Sequence, residues 1–307
     1  MKTLFFTGKG GSGKSTLSAA VAWQLAGRGR RVLAVSFDPA HNLGDVFGVS
    51  LSERLHRHGT NLWLREIDLP RAARRYAREQ SRLLAETYGY LRPLNLDKHF
   101  ELLHHSPGLE EHAALVSLEE LLGRDADYDY LVVDTPPTGL TLRVLALPQL
   151  TLAWLKRLIA LRRSILDKRH TVHSISGHYD RGGTHLAYRE EDDRVIRTLY
   201  DLRGRFELVR DILASNETRI AVVFNPDYLS IRESQRLIRG IEELGLTVSD
   251  AYHNKVDAED PDRNSAMEHD VLQGRSKVSL HRVPMTPREP GRGYLFEQDL
   301  VKACEAA

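Results

Sequence analysis

The sequence predicts an α/β protein built on a doubly wound, mostly parallel sheet with helical insertions. Three observations carry that expectation. A short apolar run at 2–7 ends in glycine and leads through the stretch FFTGKGGSGKST (5–16) into a helix. The segment RVLAVSF (31–37) then reads as a buried strand, completing a βαβ unit of about thirty residues, which calls for parallel pairing. Further strand-like apolar runs alternate with helical patterns along the rest of the chain.

The elements follow in order. After the glycine-rich loop, apolar positions at Leu17, Val21, Ala22 and Leu25 recur at helical spacing, and Gly27 and Gly29 end the helix. NLWLREI (61–67) reads as a third strand, and Leu69 to Gly123 turns helical and heavily charged. DYDYLVVD (127–134) returns to the sheet, and 150–215 is again mostly helical around the polar loop SGHYDRGGTH (176–185). RIAVVF (219–224), a helix near 230–243, LTVSDAYHN (246–254) and KVSLHRV (277–283) complete the sheet. The polar stretch 258–275 reads as loop-rich, and a last helix is expected over about 294–304. The expectation is a single domain over 1–307, with helical insertions at about 69–123 and 150–215 beyond the strands' carboxyl ends, where ligands bind in such sheets.

Composition narrows the function classes. Apolar content of 41% and charged content of 28% are ordinary for a soluble globular chain. With 43 basic against 42 acidic residues, nothing in the bulk charge argues for nucleic acid or an anionic membrane, and nucleic acid is disfavoured as a partner. A single cysteine, Cys304, cannot form an intrachain disulfide or a C-x-x-C zinc site, so no zinc site is expected, and a reducing cytoplasm fits. KTLFF is too short for the apolar region of a signal peptide. The most lipid-like stretch, Leu145 to Ile165, is broken by Pro148, Lys156, Arg157, Arg162 and Arg163, which suggests a cytoplasmic protein, soluble or peripheral at a membrane.

The loop at the start carries two superimposed patterns. Gly8, Gly10 and Gly13 spell G-x-G-x-x-G, the dinucleotide fingerprint, and Asp38 stands at the end of the next strand, where that reading wants an acid. The same residues spell G-x-x-x-x-G-K-S, a phosphate loop. Lys14 and Ser15 decide between them. A pyrophosphate on a helix N-terminus needs only backbone N–H groups, whereas a triphosphate with magnesium needs a lysine on its β and γ phosphates and a hydroxyl on the metal. A second partner stands at Asp134, after the apolar run Tyr130 to Val133, in the form of a Walker B strand whose carboxylate serves magnesium. ATP and Mg2+ are therefore the expected cofactors. Gly8, Lys9, Gly10, Gly11, Ser12, Gly13, Lys14, Ser15 and Thr16 form the phosphate-binding loop, and Ser15 and Asp134 are the metal candidates. The blander reading of Asp134 is a turn or helix cap.

Lys9 is surplus to an ordinary phosphate loop. A cation there lies beside the phosphates of its own subunit or reaches across a two-fold interface, the position of an arginine finger. GKGGSGKST resembles the deviant Walker A loop of the SIMIBI-class ATPases, and in that class the extra lysine reaches across a nucleotide-sandwich dimer. FDPAHNLGDVFG (37–48) and DTPPTGLTLRVLALP (134–148) resemble the first and second switches of the arsenite-pump and tail-anchored-protein-targeting branch. The resemblance implies a homodimer around ATP. It implies that Asp38 orients the attacking water, with Lys9 and Lys14 as its catalytic companions, and that Asn42 and Asp45 belong to the switch closing over the γ phosphate. It also implies that Asn254, in AYHNKV, reads adenine and that Pro284, in VPMTPREPGRG (283–293), belongs to the loop over the base.

The chain departs from that branch in several places. It has no C-x-x-C pair, three methionines in all, and Leu140 where the targeting branch often has histidine. It keeps an apolar stripe at Leu152, Leu155, Leu158, Ile159, Ile165 and Leu166, with Trp154 beside it and seven Lys/Arg between Thr141 and His173. Such a helix either packs on its own domain or grips a hydrophobic segment or membrane surface. RAARRYAREQSRLL (71–84) reads in the same two ways. The expected function is a dimeric switch ATPase that couples MgATP hydrolysis to binding and release of a client, a hydrophobic protein segment or membrane partner. The alternatives are a Min/Par-like positioning ATPase and the energising subunit of an anion pump.

Overall fold

The structure is a computed structural model that describes residues 1–38, 42–87, 108–123, 127–176, 187–257, 259–285 and 292–302. Cys304, nearly all of the 176–185 loop and residues 286–291 lie outside the described residues. The described elements are β1 (Lys2–Gly8), α1 (Lys14–Gly27), β2 (Val32–Ser36), α2 (Asn42–Phe47), β3 (His56–Arg57), β4 (Leu62–Glu66), α3 (Leu69–Thr87) and α4 (Leu109–Leu122). They continue with β5 (Tyr130–Asp134), α5 (Thr138–Ser176), α6 (Arg194–Ala214), β6 (Thr218–Phe224), α7 (Tyr228–Glu243), β7 (Val248–Val256), α8 (Pro261–Leu272) and β8 (Ser279–Pro284).

The strands form one sheet in the order β3-β4-β2-β5-β1-β6-β7-β8. Every pairing is parallel except the short β3–β4 ladder at one edge. The central strands explain this. VLAVS of β2 and YLVVD of β5 are buried at every position, as continuous apolar strands covered on both faces must be. Leu17, Val21, Ala22 and Leu25 of α1 are fully buried in the core, together with Leu4, Phe6, Leu62 and Leu64. The chain divides into two compact units. The first, Met1–Leu69, Arg124–Leu145 and Ile212–Ala307, contains the sheet; the second, Pro70–Gly123 and Ala146–Asp211, is helical in its described residues.

Three sequence expectations are corrected. NLWLREI holds the fourth strand in chain order, because His56–Arg57 forms a two-residue antiparallel strand before it, too short to leave a period. The stretch read as loop-rich, 258–275, contains α8. Asp260 caps it by accepting from Arg263 N, Pro261 opens its first turn, and Gln273 closes it in the left-handed region. The expected last helix is absent from 292–301. That segment spends its hydrogen bonds on distant partners: Leu300 N donates to Gln24 Oε1 and Tyr252 Oη to Leu300 O, while Leu300 and Val301 enter the core.

Within the helical unit, Ala72, Ala73 and Ala77 of α3 are buried, whereas Arg74 and Arg78 face solvent. The α5 stripe divides between two environments. Leu155, Ile159 and Leu166 are buried; Leu150, Trp154, Leu158 and Leu161 are exposed, at the i, i+4, i+8, i+11 spacing of one helix face. Helix α5 runs unbroken through Pro148, and one 18-residue window of it has a mean hydropathy of 1.4 with 22% buried. By length and composition alone it is long and apolar enough to cross a bilayer.

Candidate functional site

The glycine-rich loop leaves the carboxyl end of β1 at the middle of the sheet and opens α1. Two of its glycines are dictated by crowding. A Cβ on Gly8 would lie 2.2 Å from Val223 O, and one on Gly13 would lie 2.2 Å from Asn254 Nδ2, with Gly13 also at φ +99°. Gly10 and Gly11 are exposed, Ser12 is buried and Thr16 half-buried. Neighbouring strands tie the loop down. Asn254 Nδ2 donates to Ser12 O at 2.7 Å, Lys255 Nζ to Gly11 O at 3.3 Å, and Asn225 Nδ2 to Gly11 O at 3.2 Å. Successive residues of β7 reach the same loop because the register shifts between Asn254 and Val256 and Lys255 sits at φ 59°, which breaks the strand's alternation.

Lys14 is 4% exposed, and among the described residues its ammonium makes long contacts, 3.5 Å to Lys9 O and 3.9 Å to Asp38 Oδ2. A buried ammonium so weakly partnered is suited to an anion. Asp38 is buried at the end of β2, and its N–H donates to Ser36 Oγ at 3.2 Å. Ser36 in turn donates to Asp134 Oδ2 at 3.0 Å, because Ser36 and Asp134 stand opposite each other in the β2–β5 register. Asp134 is 1% exposed, and its Oδ1 has no hydrogen-bond partner among the described residues. Burial pushes its carboxyl up to about 6, against the opposing pull of the Ser15 hydroxyl, the Lys14 ammonium and the Ser36 hydroxyl. A bare buried carboxylate oxygen near the Ser15 hydroxyl is a donor set for a hard divalent cation.

The structure therefore gathers Lys14, Ser15, Asp38 and Asp134 at the carboxyl ends of β1, β2 and β5. Lys9 stands apart from them, half-buried, with Nζ 3.5 Å from Asp227 Oδ1, the carboxylate that also caps α7 by accepting from Ser230 N. Asn42 is the half-buried first residue of α2, and Asp45 is exposed on the same helix. Asn254 is buried with its amide nitrogen on the phosphate loop. Pro284, the exposed last residue of β8, stands opposite Val256. Sequence reasoning passed over Ser36, Asn225, Asp227 and Lys255. Ser36 was within reach, since it ends β2 two positions before Asp38; the others depend on strand order.

A nucleotide-triphosphate-binding loop at the switch point of a doubly wound sheet, faced by a buried carboxylate on the adjacent strand, defines a P-loop nucleotide triphosphatase. The family model of the anion-transporting ATPases matches residues 1–284, and the chain belongs to that family. It is an ATP-hydrolysing enzyme of that family. Its relatives include the "Putative arsenical pump-driving ATPase 2" of Aquifex aeolicus, 31% identical over 85% of this chain and 82% of that protein. A second Aquifex protein of the same name, numbered 1, is 32% identical over 83% of this chain and 63% of its own length. The "ATPase ASNA1 homolog" of Cryptosporidium parvum is 28% identical over 83% of this chain and 65% of its own length. The chain thus spans less than two thirds of the length of the latter two.

Proposed function

We propose that the chain is a dimeric switch that uses MgATP hydrolysis to time the binding and release of a hydrophobic client. The observation that carries the nucleotide part is the convergence of a weakly partnered buried ammonium, Lys14, on two buried carboxylates, Asp38 and the half-unsatisfied Asp134. In this reading the loop amides and Lys14 hold the β and γ phosphates. Ser15 and Asp134 hold the magnesium ion, which when bound neutralises phosphate charge. Asp38 accepts a hydrogen bond from the attacking water and turns its lone pair toward phosphorus. Lys9 leaves Asp227 and crosses to the second subunit's phosphates; the exchange is inexpensive because an ion pair at 32% and 48% side-chain exposure is worth under about 1 kcal/mol. Tyr228 and Leu229, exposed beside Asp227, offer apolar area for that interface.

The client part rests on the helical unit. The exposed row Leu150, Trp154, Leu158 and Leu161 is an apolar face without a cover among the described residues. On a different side of α5, toward α6, lies a groove of about 760 Å3, with Leu152, Ile159 and Ala160 among its apolar lining and Lys156, Arg163 and Arg203 among its cations. Such a face suits an apolar helix. The relatives' names favour a second reading, the energising subunit of an anion pump. Against its arsenite form stands the single cysteine, since As(III) takes several thiolates.

The Asp38→Asn protein tests the reading. It should bind MgATP as the parent does and turn it over at least about 10²-fold more slowly, the size of a general-base effect. Held in ATP, it should bind a synthetic apolar helical peptide, and it should release the peptide in ADP. Normal turnover removes Asp38 from the chemistry. Equal peptide binding in ATP and ADP removes the client cycle, and stimulation by an oxyanion instead supports the pump reading.

A further inference from the structure

Glu66 is a buried carboxylate that the chemistry above does not use. It closes β4 at 4% exposure, and its Oε1 accepts from Gly44 N, in α2, at 2.9 Å. Its position is not arbitrary. In the parallel register Glu66 stands opposite Ser36, Ser36 opposite Asp134, and Asp134 opposite Phe6, so one row of the sheet carries Glu66 and Asp134 on either side of Ser36.

Helix α2 is fitted closely against this carboxylate. A Cβ on Gly44 would lie 2.6 Å from Val49 O, so the turn after α2 closes on Gly44 as only glycine allows, while toward Glu66 Oε1 it would sit at an ordinary 3.5 Å. On its other flank, Phe47 stacks on Tyr294 with ring centroids 4.6 Å apart, and Gly293 lies against Val46. The helix has six residues and cannot hold its own position by propagation alone. It takes that position from these outside contacts, among them the hydrogen bond that the buried Glu66 side chain accepts. Helix α2 begins at Asn42, four positions after Asp38.

We propose that Glu66 is a positioning residue for hydrolysis: its carboxylate anchors α2 through the Gly44 amide and so sets Asn42, the first residue of that helix, relative to the phosphates. The inference rests on the reading of Asp38 as the residue that orients water. The bond needs an acceptor at Oε1, which glutamine keeps and leucine removes. Glu66→Gln should hold both kcat and the MgATP dissociation constant within about 3-fold of the parent. Glu66→Leu should leave the dissociation constant within about 3-fold but lower kcat by about 10-fold or more, as misplacement near a reacting centre does. Should Glu66→Leu fail to fold, Glu66→Ala removes the same acceptor without adding bulk and should give the same split, kcat lost and binding kept. Full kcat in Glu66→Leu, or in Glu66→Ala where the leucine variant does not fold, overturns the proposal. So does an equal loss in the glutamine and leucine variants, or a loss of MgATP affinity as large as the loss of kcat. Asp38→Asn measured alongside separates the two claims. If it is slow while Glu66→Leu turns over normally, only the Glu66 assignment falls; if it turns over normally, the catalytic reading beneath it falls as well.

Discussion

Asp134 makes its own pH-dependent prediction. Its carboxyl is raised by burial from an ordinary value near 3.8 to about 6 in the folded chain without ligand. A raised carboxyl means that the folded state prefers the protonated form. Its contribution to stability is therefore fully present below the unfolded value and is lost as pH rises through about 6. Asp134→Asn, which cannot ionise, should escape that loss. Urea unfolding should give the variant no advantage near pH 4 and a growing one toward pH 8, reaching about 3 kcal/mol on the 1.36 kcal/mol-per-unit scale. A difference independent of pH would contradict the burial account. At this scale the sequence was most legible where one contiguous motif sets the geometry. Lys14 and Ser15 follow from the loop pattern, and Asp134 from an apolar strand that ends in a carboxylate. Ser36 needed only its place at the end of β2. Glu66 and Lys255 were illegible: their bonds to Gly44 and Gly11 span 22 and 244 residues, so they depend on which strands become neighbours.

Elements were legible where apolar periodicity was strong and illegible where start and stop signals outweighed it. The central strands are buried at every position and read directly as strands. Helix α8 buries only Asn264, Glu268 and Val271, so its apolar face is almost silent in the sequence. What marks it is the Asp260-Pro261 start. Glu268 does its work through an ion pair and a hydrogen bond: its carboxylate receives Arg282 Nη2 at 2.6 Å and lies 2.8 Å from Nδ1 of His253, whose burial favours the neutral ring. Removing the cap with Asp260→Ala should cost about 1 kcal/mol, read as a shift in urea midpoint at unchanged slope. No shift would mean that the Glu268 contacts hold α8 without the cap. The segment 292–302 failed in the opposite way. Its apolar residues suggested a helix, but Tyr294 is recruited singly by the ring cluster of Trp23, Phe47 and His58, with centroids 4.6–6.0 Å apart. Contacts supplied from a distance overrode local preference.

For the whole molecule, a doubly wound sheet follows from alternating buried strands and helices. The family follows from the loop, the two switch segments and the match over residues 1–284. The sheet unit carries a nucleotide site whose groups come from β1, β2 and β5, and the helical unit carries an exposed apolar face. The account joins them through one event, the closing of two chains around MgATP by exchange of Lys9 from Asp227 to the partner's phosphates. Light scattering on the Asp38→Asn protein tests that event most directly. With MgATP the account predicts a particle of twice 34.8 kDa, and with MgADP, or with Lys9→Ala added, a return toward a single chain. The same mass in ATP and ADP, or a dimer indifferent to Lys9, would contradict it.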